Sequence, residues 1–327
     1  MRPKRLFKIF ASLSVLIGFG AASLVSADSP RLTLITIGSG GVNGVYYPAA
    51  GALCRLLNRK TNEHKIRCLA ETSGGSIQNI QDIQSGAVDL GLVQTDIQAD
   101  AIRGQGRFKK AGPAPTLRSL FTVHAEPFTI VARLDSDIEH FDDLKGKRVN
   151  FGMVGSGSRA TMEMVMQAFE MPESDLGMVL SLPVSSAQAA LCDNKIDAFV
   201  FVVGHPNRAV REVSETCAVR LVQVAGKPID ALLEKHPHFL PMTIQGGMYS
   251  GIQASVQTFG VRAAVMALDT LPTNIAYQLT RAALDNLEDL RRLHPAFAHL
   301  VAKEMGEGST APIHDGAKRF FDESRTQ

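Results

Sequence analysis

Two short clusters, Ser73-Gly74-Gly75-Ser76 and Gly155-Ser156-Gly157-Ser158, place glycine and serine immediately ahead of amphipathic, helix-like stretches. The chemistry such a cluster serves is anion binding. The first N–H groups of a helix have no partner inside it and carry the positive end of its dipole, and glycine lets a ligand approach them. Serine hydroxyls add donors, and charge-assisted bonds from such nests hold a carboxylate without a full countercharge. The same residue types also serve ordinary helix capping. Two clusters in successive halves of one chain point instead to Ser73, Gly74 and Ser76 facing Ser156, Gly157 and Ser158 across one small anion.

Other candidates lie beside the same kind of element. Gln94 ends the apolar stretch 89–94, and its amide can both donate and accept. Tyr46 and Tyr47 open a helix pattern; one phenol covers a ligand while the other packs, or both are half-buried at the surface. Gly204-His205-Pro206 ends another apolar run, which makes His205 a ligand candidate, although a lone histidine more often has a structural place. Arg159 adds charge beside the second cluster or faces solvent.

Catalytic patterns are missing from the sequence. There is no G-x-S-x-G elbow and no S-x-x-K pair. Gly155 to Ala160 fits G-x-G-x-x-A, a weak signal when alone. His236-Pro237-His238 lacks the H-E-x-x-H context of a zinc site and reads as a surface turn. The expectation is no catalytic residue, no cofactor and no metal.

Alternating strand and helix patterns must position these residues. Residues 32–37 are rich in β-branched types, and Pro48 takes the first helical position ahead of Ala49, Ala50, Leu53, Leu56 and Leu57. Residues 66–71 form the next strand. Ile77, Ile80 and Ile83 make one helix face, which stops at Ser85-Gly86, and 89–94 is a third strand. After a Gly- and Pro-rich break at 103–116, the segments 117–124 and 128–133 are extended and separated by Glu126-Pro127. A second βα series follows through 148–154, a helix with Met162, Val165, Met166 and Phe169 on one face, and 198–203; a return crossing lies near 257–264. The pattern predicts an α/β fold of parallel βαβ units, with loops gathered at the carboxyl ends of the strands.

Arg2, Lys4, Arg5 and Lys8 precede an uncharged apolar stretch, 9–25, that ends in Val25-Ser26-Ala27, the pattern of a cleaved secretory signal. The expected mature chain begins at Asp28 in the periplasm. Without those four residues the 34 Lys and Arg fall to 30 against 32 Asp and Glu, so the formal +2 of the chain belongs to the signal. A near-neutral surface without basic runs argues against a nucleic-acid partner. With no Trp and four Tyr, aromatic stacking of sugars or bases is a poor binding mode. Four cysteines in an oxidising compartment allow three pairings; proximity favours Cys54 with Cys68 and Cys192 with Cys217.

Several ordered motifs carry a family resemblance over nearly all of the mature chain. They are the run from Gly38-Ser39-Gly40-Gly41-Val42-Asn43-Gly44 to Tyr46-Tyr47-Pro48, then Glu71-Thr72-Ser73-Gly74-Gly75-Ser76, Ser85-Gly86-Ala87-Val88-Asp89, Asp143-Leu144-Lys145-Gly146, and Ala311-Pro312-Ile313-His314-Asp315-Gly316. Together they resemble the solute receptors of TRAP transporters, in the TAXI subfamily. The resemblance implies a type II periplasmic-binding-protein fold, two α/β lobes joined by a hinge with a cleft between them. It adds Gly40, Gly41 and Asn43 to the ligand-binding set; Asn43 replaces what is often a small residue, which bears on ligand choice. It implies capture of a small organic acid or amino acid, such as glutamate or 2-oxoglutarate, for the membrane subunits of a TRAP transporter. The expected divisions are a signal peptide at 1–27, one lobe from 28–124 plus 246–327, and a second from 125–245. A ligand-sensing periplasmic partner of a membrane receptor kinase uses the same pocket and is the alternative.

Overall fold

A computed structural model describes residues 31–325. The signal sequence and its cleavage site lie outside the described residues. Among the described residues ten strands join one hydrogen-bonded system: β1 (Thr33–Gly38), β2 (Ile66–Glu71), β3 (Leu90–Gln94), β4 (Leu117–Arg133), β5 (Arg148–Asn150), β6 (Met178–Leu180), β7 (Ala198–Val202), β8 (Val219–Leu221), β9 (Leu240–Ile244) and β10 (Val256–Leu268). Their order is β2-β1-β3-β10-β4-β7-β5-β6, with β8 on β4 and β9 on β10.

Two parallel trios, β2-β1-β3 and β6-β5-β7, lie at the ends of this order. Between them the long strands β4 and β10 pair antiparallel with each other, β10 also with β3 and β4 also with β7. Parallel neighbours require crossover connections. The helices Tyr46–Asn58 and Ser76–Ser85 supply them in the first trio, and Gly157–Ala168 and Val184–Cys192 in the second. β3 is buried along its whole length, as its continuous apolar composition requires of a strand covered on both faces, whereas β2 at the edge alternates.

Each half has its own core. Ile35, Ile37, Leu90 and Leu92 of the first trio pack with Leu53, Leu56 and Leu57 of helix Tyr46–Asn58. Phe128, Ile130, Val149 and Phe151 pack with Met162, Val165 and Met166 of helix Gly157–Ala168. Ile77, Ile80 and Ile83 form the buried face of helix Ser76–Ser85, and Gly86 ends it with a left-handed φ of 75°.

Two local expectations differ from the structure. Pro48 is the third residue of helix Tyr46–Asn58, not its first; the whole first turn lacks internal N–H partners, so proline is tolerated there. The segments 117–124 and 128–133 are one strand, β4. Pro127 ends the pairing with β10 opposite Gly260, and Phe128 starts the pairing with β7 opposite Val202. A residue without an N–H fits at that change of partner.

The cysteines pair as Cys54–Cys68 and Cys192–Cys217, with Cα atoms 4.9 and 5.6 Å apart, and no described cysteine is free. The sequence separations of 14 and 25 correspond to about 3 and about 3.5 kcal/mol in the chain-entropy model. Replacing both Cys192 and Cys217 with serine is expected to remove most of the larger value, read as a lower urea midpoint with an intact ligand response. An unchanged midpoint contradicts that contribution.

Candidate ligand-binding cleft

The carboxyl ends of β1, β2, β3 and β7 and the loops that follow β5 and β6 enclose a cavity of about 290 Å³, room for a small organic molecule. Gly40, Gly41, Asn43 and Tyr46 line it after β1, Ser73, Gly74 and Ser76 after β2, and Gln94 at the end of β3. Ser156, Gly157 and Ser158 line it from the other half. Of the residues that the sequence offered to a ligand, His205, Tyr47 and Arg159 are not on this wall.

The first glycine loop enters its helix through Gly75, whose φ of 109° is open to glycine. Ser73 Oγ accepts from Gly75 N at 3.1 Å and donates to Ser39 O at 3.0 Å. Gly74 N already donates to Gln78 Oε1 at 2.8 Å, so Gly74 contributes a close surface more than a free donor. Ser76 Oγ accepts from Gln94 N at 3.1 Å and lies 3.4 Å from Gln94 Oε1. Gln94, a residue of the cavity wall, keeps its Nε2 buried and without a hydrogen-bond partner.

The second loop combines capping with proximity. Ser156 Oγ accepts from Arg159 N at 3.2 Å as a helix N-cap. Ser158 Oγ accepts from Val202 N at 3.0 Å, tying the helix to β7 and leaving the hydroxyl proton to donate. The two halves meet at Gly157, where a Cβ atom would stand 1.4 Å from Gln94 Oε1 and 3.1 Å from Ser76 Oγ.

A second crossing joins Asp96 and Thr161, both buried. Thr161 Oγ1 is 2.8 Å from Asp96 Oδ2 and 3.0 Å from Gly157 O. Both oxygens lie within reach of the one Thr161 hydroxyl, a three-centre arrangement. Burial pushes the Asp96 carboxyl up to about 7.

His205 does not reach the cavity. Its Nε2 is 2.8 Å from Thr129 Oγ1 and its Nδ1 2.5 Å from Tyr249 Oη. With both nitrogens occupied, burial lowers its pKa to about 4, so the residue is a neutral structural histidine. Arg159 is also turned away, bonded to Glu163 and to Ser181 Oγ at 2.6 Å. Tyr46 is buried on the wall, whereas Tyr47 is exposed.

The sequence reading passed over Glu126. This buried β4 residue lines the cavity and accepts a 2.8 Å hydrogen bond from Tyr46 Oη on Oε2. His124 Nε2 stands 3.4 Å from the other oxygen without the alignment of a hydrogen bond. Burial, and then the Glu126 charge, raise the Tyr46 phenol well above its usual range, so it remains the donor. The one acid within the extended stretch 117–133 was the available signal, since such a group is costly to bury unless partnered. The apolar wall, with Leu182, Pro183, Val200, Phe201 and Val202, was also missed.

A family model described as NMT1-like matches residues 37–324. The chain belongs to the NMT1-like family. MatC of Rhodopseudomonas palustris, solved with bound malate, aligns with this NMT1-like chain at a TM-score of 0.57 and 14% identity, over 90% of this chain and 97% of MatC. A protein of Bordetella bronchiseptica RB50 aligns at 0.54 and 11%, over 90% and 98%. The periplasmic binding protein BugD aligns at 0.52 and 13%, over 82% and 87%. At these identities the likeness is one of fold. This NMT1-like chain has the two-lobed periplasmic-binding-protein fold, and its cavity lies where open α/β sheets hold ligands, outside the carboxyl ends of strands. Among the described residues no helix is long and apolar enough to cross a membrane.

Proposed function

We propose that this protein is a periplasmic solute receptor of the TAXI subfamily, which captures a small carboxylate-bearing solute and passes it to the membrane subunits of a TRAP-type secondary transporter. The observation that carries this reading is the convergence of both glycine loops and Gln94 on one cavity, where Gln94 Nε2 is a buried donor without a partner. MatC with its malate is an instance of the fold holding a small carboxylate. The two disulfides and the likeness to a periplasmic protein support the location. No histidine, lysine or cysteine lines the cavity, in keeping with capture without turnover. The lobes, 28–124 with 246–327 and 125–245, close about β4 and β10, excluding water so that the loop donors act in a low dielectric.

A thermal-shift screen of organic acids and amino acids, followed by small-angle scattering on the best binder, tests this. The expected result is a raised melting temperature, a smaller radius of gyration and recovery of the unaltered solute. Chemical conversion of the solute overturns the receptor reading, and binding without compaction overturns lobe closure.

A further inference from the structure

The cavity has two chemically distinct ends. At one, the helices Ser76–Ser85 and Gly157–Ala168 begin, and Gln94 Nε2 waits as an unpaired donor; these groups suit an anion. On the β4 side stands Glu126, the one carboxylate on the wall, and no Lys, Arg or His lines the cavity to offset it. Tyr46 occupies one of its oxygens. A carboxylate has about four acceptor sites across its two oxygens, so a single phenol and a misaligned histidine leave it able to accept more.

We propose that Glu126 accepts hydrogen bonds from a cationic amine of the ligand, so that the receptor selects a zwitterionic α-amino acid over the 2-oxo acid of the same carbon skeleton. This rests on the cavity being the solute site. The 2-oxo acid of the same skeleton carries a ketone oxygen where the amino acid has its ammonium, so it meets Glu126 acceptor against acceptor, with no cationic side chain on the wall to intervene. An α-amino acid presents one carboxylate to the loop donors and its ammonium to Glu126. The apolar wall of Leu182, Pro183, Val200, Phe201 and Val202 receives the rest of the molecule.

The test compares two matched pairs by calorimetry on the full mature protein: L-glutamate with 2-oxoglutarate, and L-leucine with 4-methyl-2-oxopentanoate. The wild type is expected to bind at least one amino acid at least tenfold more tightly than its oxo partner, the scale of one hydrogen bond to a charged group. Glu126→Gln keeps an acceptor for Tyr46 and is expected to cancel that preference while the oxo acid binds as well or better. Equal or tighter oxo-acid binding by the wild type overturns the proposal without any variant, as does a Glu126→Gln protein that retains the preference. If neither pair binds but another solute from the wider screen does, and Gly157→Val weakens it, the amine role fails and the site stands. If Gly157→Val leaves every affinity unchanged, the site itself fails and Glu126 with it.

Discussion

A Gly157→Val protein is expected to fold and to bind solute roughly ten- to 150-fold more weakly than the wild type, the range spanned by one lost hydrogen bond to a charged ligand. The added Cβ would meet Gln94 Oε1 at 1.4 Å and Gln94 Cδ at 2.5 Å, distances no side chain tolerates. Gln94 is fixed through its backbone N–H to Ser76 Oγ, so relief comes either from swinging the amide, which removes the unpaired donor from the wall, or from parting the two halves. Both routes damage the same site. Calorimetry on the variant, with its far-UV dichroism unchanged, decides the matter; wild-type affinity removes the second glycine loop, and with it the cavity between the two halves, from solute binding.

Asp96 is expected to make the protein less stable as pH rises from about 4 to about 7. Its folded carboxyl holds a proton up to about 7, against an ordinary value of 3.8. Between those values the folded state keeps a proton that the unfolded chain has released. Stability therefore falls with rising pH, by about 1.4 kcal/mol per unit for this group, and levels off above pH 7 at a cost on the order of 4 kcal/mol. His205 acts in the opposite sense: its lowered pKa makes stability fall as pH drops from 6.5 toward 4. The difference between Asp96→Asn and wild type isolates the carboxyl, because the histidine is common to both. Urea denaturation is expected to show the variant gaining on the wild type between pH 5 and pH 8. Parallel curves for the two proteins would show that Asp96 ionises normally in the fold.

The parts of the site that could be read from sequence are those written in local rules. Ser73 to Ser76 and Gly155 to Ser158 each join a strand pattern to a helix pattern, and strand ends in α/β sheets meet at one edge, so their convergence followed from order alone. Gln94 was legible for the same reason. His205 also ends a strand, but which way a side chain turns depends on neighbours far along the chain, here Thr129 and Tyr249. Glu126 needed knowledge of pairing: it lies opposite Val261 of β10, just before β4 passes to β7, and no local rule states which strand a residue faces. Asp96 and Thr161 are separated by 65 positions, and neither has a neighbour in sequence that announces the contact.

The pairing of β4 with β10 has a mechanical consequence. The connection between the halves is a hydrogen-bonded ribbon running from Leu117 against Leu268 to Pro127 against Gly260, not a pair of slack tethers. A ribbon bends and twists as one piece, and displacement along it meets a restoring force from every rung of the ladder. The two halves are thus joined by a spring with a preferred setting, and in the proposed receptor a solute would need only to outweigh its stiffness, without organising a floppy joint.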